Sequence, residues 1–368
     1  MDTKQLKAKI LDLAIHGKLL PLKTLDGLKN SPDYEPASKL LEKLRAKKEE
    51  KIAKGELKRD KKDSYIFIGD DNRHYEKFAD GSVKDIEDEI PFEVPEGWAW
   101  CRLGDFMTIS SAKRVLQKDW KKSGIPFYRA REIAQLSINE KVIDDLFITQ
   151  DLYEQLKEKY GVPVPGDLMV SAVGTIGKTY IVQDFDCFYY KDASVLCFSK
   201  QISEIESKLL KFFIDTPLMQ KQIYANSTGT TVDTITITSA ENYYIPLPPI
   251  SEQKLIVAEI EKIFNLIDSI ENDKSALQLA VKQTKSKILD LAIHGKLVPQ
   301  DPADEPASVL LEKLRAEKEA KIAKGELKRD KNDSYIYKST TDNCHYEKFS
   351  GKEAVCIEDE IPFEIPDS

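Results

Sequence analysis

Apolar residues recur at helical spacing at Leu6, Ile10, Leu13 and Ala14, which predicts an amphipathic helix over residues 3–17. Gly17, with Pro21 just beyond it, is the expected stop. Ser38 is placed to cap a second helix over 39–54, where Leu40, Leu41 and Leu44 give way to charge, the pattern of a solvated helix. Residues 60–97 carry turn residues, charge and isolated aromatics and predict little regular structure. At Gly97-Trp98 the pattern changes. Short β-branched and aromatic runs follow at 125–129, 168–171, 179–182, 194–198 and 234–238, punctuated by Pro and Gly. Helices over 150–159 and 204–224 interrupt them. The fold class is therefore α+β, with one mixed domain over 98–250. Ser251 is the expected cap of a long helix over 251–297, with Glu252 in its first turn. Ile256, Ile260, Ile263, Ile267 and Ile270 alternate spacings of four and three, and Leu277, Val281, Ile288 and Leu291 continue the frame. That is a heptad seam, the pattern of a coiled coil.

A long internal repeat brackets the mixed domain. Ile10–Leu19 recurs as Ile288–Leu297, Glu35–Ser38 as Glu305–Ser308, and Lys51–Asp60 as Lys321–Asp330. His74–Phe78 recurs as His345–Phe349 and Ile86–Glu93 as Ile357–Glu364. The second copy is shorter by a stretch near Thr24–Asn30. Two long copies around an unrelated insert are not a solenoid, which stacks many short units. The chain reads as an N-terminal copy (1–97), the insert (98–250), the long helix (251–297) and a C-terminal copy (298–368).

The net charge of −8 does not mark a nucleic-acid binder, but the charges are segregated: residues 41–62 hold ten Lys/Arg against five Asp/Glu. The insert carries 17 Lys/Arg and 18 Asp/Glu, so any polyanion binding must come from local clusters. The five cysteines show no metal-ligand spacing and read as reduced thiols of a cytoplasmic protein. No apolar run suggests a signal peptide or a membrane span.

Catalytic motifs fail on their context. Ala172–Thr179 imitates a phosphate loop, but a strand follows where a helix should, so a turn with Gly174 and Gly177 at positive φ is expected. Asp33 with Glu56 and Lys58 imitates a nuclease set within charged, solvated segments. His16 and His294, at the ends of the duplicated helix, read as structural. The elimination leaves a binding and assembly protein.

Five stretches in order resemble the target recognition domain of type I restriction-modification specificity subunits: Gly97–Gly104, Gly124–Ile133, Pro165–Lys178, Asn226–Thr231 and Ile245–Gln253. The flanking repeats and the heptad helix extend the resemblance over nearly the whole chain. It implies a non-catalytic reader of double-stranded DNA that directs adenine methylation and restriction. Modification subunits docked on the helices bring S-adenosylmethionine. Restriction subunits bring ATP and Mg; no cofactor is expected on this chain. Such subunits carry two recognition domains, and this chain stops where the second begins, a half-length form. Two copies associating through Ile256, Ile260, Ile263, Ile267, Ile270, Leu277, Ile288 and Leu291 would rebuild a paired reader of a symmetric target. The alternative is a decoy that binds modification subunits without productive targeting; a partner-independent enzyme ranks third.

For DNA contact, Lys113, Arg114, Lys121 and Lys122 near Ser111 suit phosphates, as do Lys178 and the loop Thr228, Gly229, Thr230 and Thr231. Arg129 and Arg131 beside Tyr128 have the fork that reads guanine, while Ser171 and Thr175 suit a base edge or a phosphate. The competing reading of each is ordinary surface or an intradomain ion pair, with Arg131 beside Glu132 the least secure.

Overall fold

Helix α1 (Thr3–Ile15) starts at Asp2, whose carboxylate accepts from the amides of Lys4 and Gln5. It ends at Gly17 (φ 65°), where Lys18 N–H donates to the Leu13 carbonyl and Gly17 N–H to that of Ala14, the closure a glycine stop provides. These features belong to a computed structural model that describes residues 2–364 apart from 56–62, 139, 141, 144, 226–232, 300, 302 and 331.

After α1 come α2 (Leu22–Lys29) and α3 (Ala37–Ala53). The expectation of a solvated α3 is corrected for its first half: Ala37, Leu40, Leu41 and Leu44 are buried, and only the charged remainder faces water. The expectation of little structure over 60–97 is also corrected. β1 (Ser64–Ile68), β2 (His74–Phe78) and β3 (Val83–Asp85) form an antiparallel sheet in that order. Its pairs oppose aromatic or apolar residues to charges (Tyr65 to Lys77, Ile66 to Glu76), which erases the alternation that marks a strand.

The insert opens with β4 (Ala99–Arg102) and β5 (Met107–Ser111), then β6 (Ile125–Tyr128), α4 (Ala130–Ser137), β7 (Phe147–Ile148) and α5 (Gln150–Tyr160). β8 (Leu168–Ser171), β9 (Thr179–Ile181), β10 (Tyr189–Tyr190) and β11 (Val195–Lys200) follow. Next are α6 (Ser207–Ile214), α7 (Pro217–Ala225), α8 (Ile237–Glu241) and β12 (Tyr244–Leu247). The central sheet runs β5-β11-β8-β9, all antiparallel; β10-β6-β7 and β12-β4 are separate small sheets. Two expectations fall here. The helix over 204–224 is two helices, because Pro217 cannot donate within a helix interior. The strand over 234–238 does not form: Thr234 bridges singly to Val173, and from Ile237 the chain is α8, capped by Thr236, whose side chain accepts from Ser239 N–H.

Helix α9 (Ile250–Ile293) is one continuous rod. Ser251 does not cap it: its hydroxyl is buried without a partner. The Pro249 carbonyl instead accepts from the amides of Glu252 and Gln253. After α9 come α10 (Ala307–Ala323), β13 (Ser334–Lys338), β14 (His345–Phe349) and β15 (Val355–Cys356), the last three forming a sheet ordered like β1-β2-β3. Two compact units result, Met1–Ser269 and Ile270–Ser368.

The first unit is one core. Leu11, Ile15, Leu40, Leu41 and Leu44 of the N-terminal copy pack with Trp98, Phe213, Ile256 and Ile260. Polar bonds fix the seam of this packing. Glu252 accepts from Trp98 Nε1 at 2.7 Å and from the Tyr34 hydroxyl at 3.2 Å. Gly97 (φ 91°) must be glycine, since a Cβ there would stand 2.0 Å from that hydroxyl. Arg102 donates to both carboxylate oxygens of buried Glu76, at 3.2 and 2.8 Å.

The second unit repeats the internal bonds of the first copy. Lys318–Asp333 at 2.6 Å matches Lys48–Asp63 at 2.7 Å, and Arg315 lies over Tyr335 as Arg45 lies over Tyr65. The Arg73–Asp85 ion pair is replaced by Cys344 and Cys356, whose thiols interact. The net deletion removes α2.

Candidate nucleic-acid interface

One end of the central sheet gathers several of the polar residues that the sequence singles out. In the β11 register Leu196 faces Ser111 and Val195 faces Ser171, so β5 and β8 end side by side. The turn at 191–194 fastens the neighbouring elements together. Lys191 N–H donates to the Tyr128 carbonyl at 2.8 Å, Ala193 N–H to Ser111 Oγ at 3.1 Å, and Ala172 N–H to the Ser194 carbonyl at 2.8 Å. Ala193 holds φ 58°, a left-handed backbone uncommon for a residue with a side chain. Such positions persist where surrounding bonds over-determine them, and they cluster at functional sites. Sequence reasoning missed this hub. No glycine marks the turn, and a lone Lys191 carries no signal of its own.

The phosphate-loop imitation is the turn joining antiparallel β8 and β9, with Gly174 at φ 78° and Gly177 at φ 75°, as the competing reading expected. Ser171 is buried, donating to the Thr175 carbonyl at 2.6 Å and accepting from Lys178 N–H at 2.9 Å. Its hydroxyl latches the turn and does not face solvent, whereas Thr175 and Lys178 are exposed. Thr228, Gly229, Thr230 and Thr231 lie outside the described residues. Just beyond them, the Asp233 carbonyl accepts from Gly174 N–H at 3.2 Å.

Arg129 and Arg131 share two carboxylates. Arg129 Nη2 lies 2.8 Å from Glu132 and 2.6 Å from Asp145. Arg131 Nη2 lies 2.7 Å from Glu132 and 2.8 Å from Asp145. Burial pushes the Glu132 carboxyl up, but the bonds from Arg129 and Arg131 outweigh it and hold it below its usual range. The hydrogen bond from Arg131 lowers Asp145 as well. The four groups are thus charged and mutually neutralised. Either arginine must leave Asp145 before it can fork onto a base. Arg131 and Thr175 line one open cleft with Gln135 and Ile138. Tyr128 is half-buried and stacks on Phe188 with ring centroids 4.8 Å apart.

Lys113, Arg114, Lys121 and Lys122 are all exposed on the segment joining β5 to β6. The backbone of this segment is fixed at several points, and the Lys113 ammonium lies over the Tyr160 ring, 5.4 Å from its centroid. Val115 is buried with Phe127, Ile148 and Tyr189. Lys113 N–H donates to the Tyr189 hydroxyl at 3.0 Å, and Lys121 exchanges backbone bonds with Phe147 at 2.8 and 3.1 Å. A pinned loop carrying exposed cations suits phosphates better than bases.

The heptad seam divides. Ile256, Ile260 and Ile267 are buried and Ile263 is half-buried, while Ile270, Leu277 and Ile288 are exposed at 52%, 66% and 45%; Leu291 is half-buried. His16 bonds the Asp12 carbonyl and stacks on Phe92, and His294 bonds the Asp290 carbonyl and lies over Phe363. Among the described residues no group of acids, histidines or cysteines could hold a metal, and no helix is long and apolar enough to cross a membrane.

Residues 95–279 match the family model described as the type I restriction modification DNA specificity domain. The chain belongs to this family. Similar relatives include the type I restriction enzyme EcoEI specificity subunit of Escherichia coli, 27% identical over 89% of this chain and 57% of its own length. The EcoAI specificity subunit, also of Escherichia coli, is 26% identical over 89% and 58%. The chain thus spans little more than half the length of these specificity subunits. Among solved structures, the HsdS subunit from Thermoanaerobacter tengcongensis aligns with TM-score 0.39 and 19% identity over 56% of this chain and 47% of its own. A chain from a type I R-M system, solved for its assembly and conformational transition, gives 0.43 and 20% over 56% and 48%.

Proposed function

We propose that this chain is a DNA-recognition subunit of a type I restriction-modification assembly and carries out no bond-making step itself. The observation that carries the reading is the specificity domain over residues 95–279. The pinned cationic segment 113–122 supports it as a phosphate rail, and the cleft holding Arg131 and Thr175 supports it as a place for base edges. Modification subunits would bring S-adenosylmethionine and methylate adenine where this chain places them; restriction subunits would bring ATP and Mg. The work belongs in the cytoplasm, where the five free thiols stay reduced.

A split target needs two readers. The exposed half of the α9 seam, Ile270 to Ile288, supports pairing of two copies of this chain, and a twofold pair reads a symmetric target. The test is adenine methylation of random-sequence DNA by this chain with a modification subunit and S-adenosylmethionine. Methylation at a split palindromic motif is expected. A stable complex that methylates nothing would sink the reading in favour of the decoy, and methylation by the isolated chain would sink it in favour of an enzyme.

A further inference from the structure

The two copies of the repeat meet different fates. In the N-terminal copy Leu11, Ile15, Leu40, Leu41 and Leu44 are 0–8% exposed, covered by the chain's own recognition domain. The same residue types stand at the same places in the C-terminal copy, as Leu289, Ile293, Leu310, Leu311 and Leu314, and all are 52–64% exposed. Five large exposed apolar side chains whose counterparts the same chain covers are more than scattered surface leucines. The polar fittings are also duplicated. Glu76, which takes Arg102, has its counterpart in Glu347, already held by Ser334 as Glu76 is held by Ser64. Glu89, which accepts from the Tyr244 hydroxyl at 2.7 Å, has its counterpart in Glu360.

We propose that the C-terminal copy is a docking face for the recognition domain of a second copy of this chain. It competes there with that chain's own N-terminal copy for one and the same surface. The inference rests on the pairing of two chains proposed above and adds its contacts. Two differences set the outcome of the competition. Tyr34 and Asp304 each stand directly before a Glu-Pro-Ala-Ser stretch, so they are equivalent. The Tyr34 hydroxyl donates to Glu252; a carboxylate in its place cannot donate and repels that acid. The C-terminal copy also lacks α2, whose Lys29 pairs with Glu96 at 2.9 Å. The N-terminal copy is therefore the better-fitting plug. Exchange onto a second chain is weak and concentration-dependent, and Asp304 sets its strength.

The experiment is sedimentation equilibrium of the full chain, with methylation by the assembled complex measured on the same preparations. Asp304→Tyr restores the missing donor and is expected to tighten self-association by about tenfold, the worth of one bond to a buried charged group. Leu310→Glu with Leu314→Glu, both on exposed positions, is expected to abolish the association and leave the first unit folded. Association unmoved by either change, yet lost in Leu277→Asp, would keep the pairing along α9 and overturn the exchange. A chain monomeric in every variant overturns both. Loss of methylation with the association responding as expected would instead count against the DNA-recognition reading alone.

Discussion

Trp98 donates its indole N–H to Glu252 at 2.7 Å across 154 residues of sequence, joining the first turn of the insert to the first turn of α9. The bond closes the recognition domain at its two ends. Glu252 is 2% exposed, and burial pushes its carboxyl above the usual range even with Trp98 and Tyr34 donating to it. Replacing it with leucine orphans both donors, one of them buried. Glu252→Leu is expected to cost about 2–3 kcal/mol of first-unit stability, and Glu252→Gln distinctly less, because the amide oxygen still accepts. Tryptophan fluorescence during urea unfolding reads the difference; equal losses would show that the bond to Trp98 is not what matters.

Arg102 and Glu76 are the second tie, an ion pair in which Glu76 is 3% exposed. Removing one partner strands a buried charge, so Arg102→Met should cost about 3–5 kcal/mol. The C-terminal copy supplies an internal control. Glu347 is half-buried and accepts from the Ser334 hydroxyl, so Glu347→Gln should shift unfolding by less than about 1 kcal/mol. Comparable losses at Glu347 and Arg102 would mean that the C-terminal copy is already covered in the free chain.

Much of this architecture is legible in the sequence, for reasons that name its limits. The heptad isoleucines and the Gly17 stop announce α9 and α1 because helix periodicity and glycine closure are local signals. The β1-β2-β3 sheet is hidden because Glu76 occupies a buried strand position, and its partner Arg102 lies 26 residues away. No window shows that a charge is paid for by a distant arginine. The same holds at the candidate interface. Arg129 and Arg131 stand out by type, but Asp145, which occupies them, comes from the segment before β7. The Ala193 hub has no glycine at its left-handed position, and Asp192 and Ser194 beside it are too common a signal to single it out. Leu40 and Leu310 stand in closely matching stretches of the two copies, so nothing local in the sequence tells that one is buried and the other exposed.

Asp105 predicts a pH dependence. Burial pushes its carboxyl up to about 6, against the lowering effect of the Arg102 amide and, more weakly, of Lys48 and Arg45. A carboxyl raised in the folded state binds its proton more tightly folded than unfolded. Its stabilising share is therefore whole below its unfolded value near 4 and is lost as pH rises through about 6. The stability of the first unit should fall by about 3 kcal/mol across that window. Asp105→Asn, which keeps the acceptor for the Arg102 amide at 2.8 Å, should flatten the loss. A window of the same depth in the variant would assign it to other groups.

The two classes of proposed DNA contact separate by salt and by sequence. Lys121→Ala removes one exposed cation from a fixed backbone. It should weaken binding of the assembled methyltransferase to all DNA about equally and lower the salt slope by about 1. Arg131→Ala should instead cost roughly 1–3 kcal/mol at one base position. Asp145 and Glu132 together restrain that arginine, since each holds Arg129 and Arg131 at once, and Asp145 is the exposed one of the two. Asp145→Asn weakens the hold and removes a negative charge beside the two arginines, so it should raise affinity for every sequence and narrow the gap between target and non-target DNA. Fluorescence anisotropy with target and scrambled duplexes over a salt series measures all three. If Asp145→Asn lowers affinity, the carboxylate positions the arginines for reading instead of occupying them. If Arg131→Ala weakens both duplexes alike, Arg131 is a phosphate contact and the base edges are read elsewhere.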